Sequence, residues 1–219
     1  MQSKRFRTGR VYAALGLLFA ALSLAPSLHA ASGMGDAANG KIRSQAEQCQ
    51  ECHGEAGLGT AEHYPKLAGQ WAGYIRKQLG DFQSGARKSE IMNAMASDLS
   101  PRDIADIAAY FSSAPRWSGE EDNFSAAGRA LYLNGDPSRA LPACASCHGE
   151  KGAGADTGAG PIPALAGQRE SYLINQLNAF KADDRANSPG AVMNEIAHRL
   201  SISEIAALAH YVSGPRAME

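Results

Sequence analysis

Cysteine is nearly absent from this chain. Its 219 residues hold four, all within two five-residue motifs, so none remains for a disulfide framework. A basic excess is also missing. Lys and Arg number 21 against 22 Asp and Glu, which excludes the charge balance of a nucleic-acid-binding surface. No apolar run reaches the roughly 17–25 residues of a spanning helix. The longest, residues 11–24, has about 14. Nor does any stretch show the period-two alternation of half-buried strands, so the chain reads as all-α.

That short apolar run has a specific setting. Lys4, Arg5, Arg7 and Arg10 precede it without an acidic residue, Pro26 breaks it, and Ala30-Ala31 supplies small side chains. This is the pattern of a secretory signal peptide over residues 1–30, with an uncleaved anchor as the alternative. The expectation is a periplasmic protein, soluble or peripherally associated with the membrane. Removing residues 1–30 takes away four basic and no acidic residues, which leaves 17 Lys and Arg against 22 Asp and Glu, a net charge of −5.

The two cysteine motifs are Cys49-Gln50-Glu51-Cys52-His53 and Cys144-Ala145-Ser146-Cys147-His148. Cys-x-x-Cys-His is the attachment signature of c-type haem. Two thiols three positions apart can add to the two vinyl groups of one porphyrin, and the following His is held beneath the iron. One such motif alone is also compatible with a zinc or dithiol site. Two copies, an export segment and nothing further to complete a zinc sphere select two covalently bound haem c groups.

The motifs belong to a longer duplication. The cysteines and His recur at an offset of 95. Pro65-Lys66-Leu67-Ala68-Gly69-Gln70 recurs 98 residues later as Pro163-Ala164-Leu165-Ala166-Gly167-Gln168. Tyr74, Gln78, Leu79 and Phe82 recur at the same offset as Tyr172, Gln176, Leu177 and Phe180. Ile91-Met92-Asn93 recurs as Val192-Met193-Asn194 at 101. The two three-residue steps fall in residues 151–160 and 183–190, rich in Gly or containing Pro, where loops tolerate insertion. The implied division is residues 31–115, a linker 116–123, and residues 124–219.

Each unit should open with a helix, at residues 37–45 and 126–133. A second helix carries Tyr74, Ile75, Gln78 and Phe82, or Tyr172, Leu173, Gln176 and Phe180, on one face. Residues 81–90 and 181–190 read as loops. The last helices start at Ser100-Pro101 and at the capping box of Ser201 and Glu204.

His53 and His148 are the expected proximal iron ligands, with Cys49, Cys52, Cys144 and Cys147 as the attachment residues. The duplication selects the sixth ligand: Met92 aligns with Met193, whereas Met95 aligns with Ile196. His63, His198 and His210 align with Pro161, Ser97 and Ala109, which disfavours bis-His ligation in both units and leaves room for one mixed site. The carbonyls of Pro65 and Pro163 are candidates to orient the proximal His rings. Tyr74 and Tyr172 suit either a haem contact or helix packing. Trp71 aligns with Arg169 and suggests no shared role. Arg76, Lys77, Arg87 and Lys88 read as solvated charges not shared between the units.

Two units with Cys-x-x-Cys-His, Pro-x-Leu-Ala-Gly-Gln and a late Met make the chain similar to the diheme cytochrome c4 proteins over nearly its whole length beyond residue 30. The resemblance implies two tandem class I cytochrome c domains, each wrapped around a covalently attached haem, with the haem edges facing across the interface. It implies periplasmic electron transfer between redox proteins of the respiratory chain, commonly toward a membrane-bound haem–copper oxidase. Cys49, Cys52, His53 and Met92 then serve one haem, and Cys144, Cys147, His148 and Met193 the other. Unit two keeps the family's early Gly128 and Tyr132, whereas unit one has Gly40 but Ser44. Such a protein is an electron carrier rather than an enzyme. The alternatives are an electron-transfer subunit of a larger dehydrogenase or reductase, and a diheme redox enzyme such as a peroxidase.

Overall fold

Side chains that cap their own helices set the limits of several of the main elements. Asp36 accepts from the backbone N–H groups of Ala38 and Asn39 at 2.8 and 3.1 Å and starts α1, Ala37–Ala46. Ser100 and Asp103 cap reciprocally at the head of α5, Pro101–Ser113, and Ser201 and Glu204 do the same for α10, Ile202–Ser213. The computed structural model describes residues 35–117, 119, 125–157 and 160–214. The expected export segment, and residues 118 and 120–123 of the expected linker, lie outside them. No helix among the described residues is long and apolar enough to cross a membrane.

The first repeat continues through α2, Cys49–His53, α3, Ala72–Ser84, and α4, Glu90–Ala96. The second comprises α6, Ala126–Asn134, α7, Ala145–His148, α8, Glu170–Lys181, α9, Val192–His198, and α10. Each unit buries its own apolar core. Ile75, Leu79, Phe82, Ile104, Ile107 and Phe111 form the first, with Cys49, Leu67 and Met92 packed against it. Tyr132, Leu173, Ile205, Leu208 and Val212 form the second, with Cys144 and Leu165 at its margin.

First and last helices cross at a glycine in both units. A Cβ on Gly40 would lie 1.9 Å from the Asp106 carbonyl oxygen, and one on Gly128 would lie 2.0 Å from that of Ala207. Asp106 and Ala207 are themselves repeat partners, so the two crossings share one register. Ser44 is fully buried at its crossing, where the Gln50 amide donates to its Oγ at 2.7 Å.

Two segments depart from expectation. Residues 81–84 are helical, since α3 runs on to Ser84 before Gly85 ends it at positive φ. Part of the insertion at 151–160 forms an antiparallel ribbon of β1, Ala155–Thr157, and β2, Gly160–Ile162. It lacks apolar alternation because it packs on another domain, not on a sheet.

The repeated Pro-x-Leu-Ala-Gly-Gln segments join the domains. Gln168 accepts from Lys66 N at 2.8 Å and donates to Lys66 O at 2.9 Å. Gln70 accepts from Ala164 N at 2.9 Å and donates to Ala164 O at 3.0 Å. Lys66 and Ala164 are equivalent positions, so the contact is two-fold in pattern although one chain makes it. All four bonds are buried, where an unmade partner costs about 1–3 kcal/mol.

Candidate haem sites

The haem motif is a single turn of helix in each domain, α2 or α7, closed by a glycine at positive φ, Gly54 or Gly149. One helical turn puts both cysteines and the His on adjacent faces. The His53 ring is buried and its Nδ1 lies 3.0 Å from the Pro65 carbonyl oxygen; His148 Nδ1 lies 3.1 Å from that of Pro163. These are the anticipated contacts. They fix the tautomer with the proton on Nδ1 and leave each Nε2 without a hydrogen-bond partner among the described residues. Burial, only partly offset by the Pro carbonyl, pushes both imidazoles below their ordinary pKa, which keeps them neutral as ligation requires.

The first thiol of each motif has the wrong electrostatics for a reactive dithiol. Burial pushes Cys49 and Cys144 up to about 11, the reverse of the depression that activates redox Cys-x-x-Cys pairs. Among the described residues no three His, Cys, Asp or Glu side chains are placed to share a metal ion. A buried neutral imidazole beside the two motif thiols, with no further Cys, Asp or Glu placed to complete a metal sphere among the described residues, fits a covalently held haem.

Met92 and Met193 are held by matching chemistry. The backbone N of Met92 donates to Ser89 Oγ at 3.3 Å, and that of Met193 to Ser188 Oγ at 3.2 Å. The next residue braces the preceding loop: Asn93 Nδ2 donates to Phe82 O and Arg87 O, and Asn194 Nδ2 to Phe180 O and Arg185 O. The Met-Asn repeat carried that signal in the sequence. His198 pairs with Asp183 and His210 with Glu170.

Two expectations are overturned. Arg87 is buried rather than solvated, and it has an equivalent, Arg185, at the 98-residue offset. The second insertion falls after residue 185, which hid this match. Trp71 and Arg169 also share a role. Trp71 Nε1 donates to Ala153 O at 2.9 Å, and Arg169 Nη2 to Leu58 O at 3.3 Å. Ala153 and Leu58 are 95 apart, so each side chain reaches the same loop position of the opposite domain. The hydroxyls of Tyr74 and Tyr172 each accept from an arginine across the interface.

The Cytochrome c family model matches residues 37–115 and 125–214. The chain is 39% identical over 199 residues to cytochrome c4 of Pseudomonas aeruginosa, covering 90% of this chain and 96% of that one. It is also 39% identical to a thiosulfate dehydrogenase electron acceptor of Stutzerimonas stutzeri strain A1501, covering 88% and 90%. The crystal structure of reduced recombinant cytochrome c4 from Pseudomonas stutzeri superposes with a TM-score of 0.77 at 36% identity, covering 83% of this chain and 100% of that one. With two such domains, two covalently bound haem c groups and an electron-transfer fold, the chain belongs to the diheme cytochrome c4 family.

Proposed function

We propose that the protein is an exported, periplasmic carrier that passes single electrons between respiratory partners, in the direction of a terminal oxidase, through two His/Met-ligated haems. Residues 31–115 and 124–219 are the two carrier domains, joined by 116–123. Cys49 and Cys52 hold one haem and Cys144 and Cys147 the other. His53 and Met92, and His148 and Met193, are the axial pairs. Bound haem c supplies an iron that cycles between ferric and ferrous states.

The observation that carries the reading is the matched pair of His Nδ1–Pro carbonyl contacts, each aiming a neutral imidazole. The chain's residues then do three things. The Pro carbonyls hold the rings in one tautomer, the Ser and Asn contacts fix the Met-bearing helices, and the apolar cores pack against Cys49, Met92 and Cys144. Filling the sixth position with Met favours electron transfer over ligand chemistry and raises the reduction potential. A second reading, an electron-accepting subunit serving a thiosulfate dehydrogenase, is favoured by the name of the Stutzerimonas relative. A stoichiometric partner retained through purification would support it over the free carrier.

The axial assignment is tested by the weak near-infrared ferric Met–iron charge-transfer band. Met92→Ala and Met193→Ala should each halve its intensity, and Met95→Ala should leave it whole. Full intensity in either of the first two would reject that ligand.

A further inference from the structure

The two methionine-bearing helices share a serine and an asparagine but differ in how the chain enters them. Ahead of Met92, Ser89 is itself the cap of α4. Its Oγ accepts from Met92 N, and its backbone N–H donates to Asn93 Oδ1 at 2.6 Å. Asn93 thus uses both ends of its amide, the oxygen on Ser89 and the nitrogen on the Phe82 and Arg87 carbonyls. The loop leading to Met92 turns left-handed once, at Gly85, where no Cβ stands in the way. Met92 itself packs against the core of domain one.

In domain two the serine stands five residues before the methionine instead of three, and α9 starts from Ala191 without a side-chain cap. Asn194 keeps its bonds from nitrogen, yet its buried Oδ1 meets no donor among the described residues. The loop turns left-handed three times, at Asp183, Gly190 and Ala191. Ala191, at a φ of 55°, carries the strain. Its Cβ crowds the following carbonyl, and it has no polar side chain to offset this. Among the described side chains of α9, Ile196 rather than Met193 packs against the second core. A cleft of about 510 Å³ flanks this helix, lined among others by Leu141, Pro142, Val192 and Ile196. Ile196 lies one turn from Met193 on the same face.

Contacts behind a ligand decide how firmly it is presented to a metal, and their loss weakens its hold. We propose that the sixth position of the domain-two haem is a binding site for small neutral nitrogen bases, which displace Met193 while Met92 stays in place. The proposal rests on the axial pairs assigned above. In the exchange the bond from Met193 Sδ to iron breaks and one from a nitrogen of the base forms, a donor that suits iron. No electron moves and the iron stays ferric. Release of Met193 lets Ala191 leave its left-handed turn and opens Asn194 Oδ1 to water. Release of Met92 brings neither gain, and it breaks into a satisfied cap and a packed core. The cleft beside α9 gives the base a way in.

The test is a titration of the ferric, haem-loaded protein with imidazole, read from the near-infrared Met–iron band. The band should fall in two equal steps, the first at about tenfold lower imidazole than the second. Met193→Ala should show only the second step and Met92→Ala only the first. A single step that removes both halves, or a first step that survives in Met193→Ala, would overturn the proposal. A band below two-haem intensity before imidazole is added would instead reject the axial assignment on which the proposal rests. Two further variants keep every ligand. Ala191→Gly removes the strain and should raise the imidazole needed for the first step about fivefold. Ser89→Ala removes the cap of α4 and should lower that for the second step about fivefold. If Ala191→Gly leaves the first step where it was, the loop does not loosen Met193 and the proposal fails.

Discussion

The two domains share their geometry but not always the residues that make it. In domain two, Tyr132 on the first helix donates to Gly149 O at 2.7 Å and so ties the turn after the haem motif to the helix crossing. Domain one has Ser44 at that position. There Tyr110, on the last helix, donates instead to Glu55 O in the corresponding turn. The same exchange occurs at the interface, where an indole N–H in one domain and a guanidinium in the other reach equivalent carbonyls. What both copies keep unchanged is what touches backbone at close quarters or faces its own counterpart: the crossing glycines, the two glutamines and the buried arginines. A duplication can therefore replace the donor of a tie while keeping the turn or loop that accepts it.

Three measurements would sharpen or break this comparison. The largest effect belongs to the crossings. Gly40→Ala and Gly128→Ala each drive a Cβ into a backbone carbonyl, and each should cost about 3 kcal/mol or more. Urea titration should give closely similar losses; a benign Gly40→Ala would show that Ser44 leaves domain one looser than domain two. Next come the tyrosines. Tyr132→Phe should cost about 1 kcal/mol, because the Tyr132 side chain is fully buried, and Tyr110→Phe about half that, since its bond is exposed. Equal costs would mean that the replacement tie is as strong as the one it replaces.

The smallest effect is a dependence on acid. Hydrogen bonds from Arg139, then from Ser201, pull the Glu204 carboxyl down from its ordinary 4.5 to about 2. Its folded-state pKa lies below the unfolded one, so its stabilisation is complete above about pH 4.5 and disappears as pH falls toward 2. Asp103, its counterpart in domain one, is lowered by Ser100 and then by Arg43. Comparing melting temperatures at pH 5 and pH 3, Glu204→Gln should lose less than the wild type. An identical loss would place the acid sensitivity elsewhere.

Much of this was legible in the sequence because a duplication supplies its own alignment. The haem motifs, the helix starts at Ser100 and Ser201, and the Pro carbonyls facing the His rings all follow from residue types whose local chemistry has few alternatives. What the sequence concealed was contact between the copies. A residue repeated at the same place in both units has one of two meanings. It either serves its own unit twice or meets its own image, and periodicity does not separate these. Gln70 and Gln168 stood out only as parts of a repeated segment, and each is a partner of the opposite chain segment. Arg87 was further obscured because its counterpart precedes the second insertion, whereas the Met alignment follows it. The ribbon of β1 and β2 had no signature, since its surroundings come from the other domain.

That ribbon has a consequence for how the molecule is completed. Helix α3 has no side-chain cap of its own at Trp71. Asp156, at the centre of β1, accepts from Gly73 N at 3.0 Å in the first turn of α3, across a separation of 83 residues. Gly73 has no Cβ to obstruct this approach. The first domain emerges first and buries its own core, yet one of its helices begins on a donor that waits for a residue deep in the second. Domain one is thus born unfinished. A protein cut after its first repeat would keep its haem motif and its core but leave the head of α3 open to water, and the second repeat is what closes it.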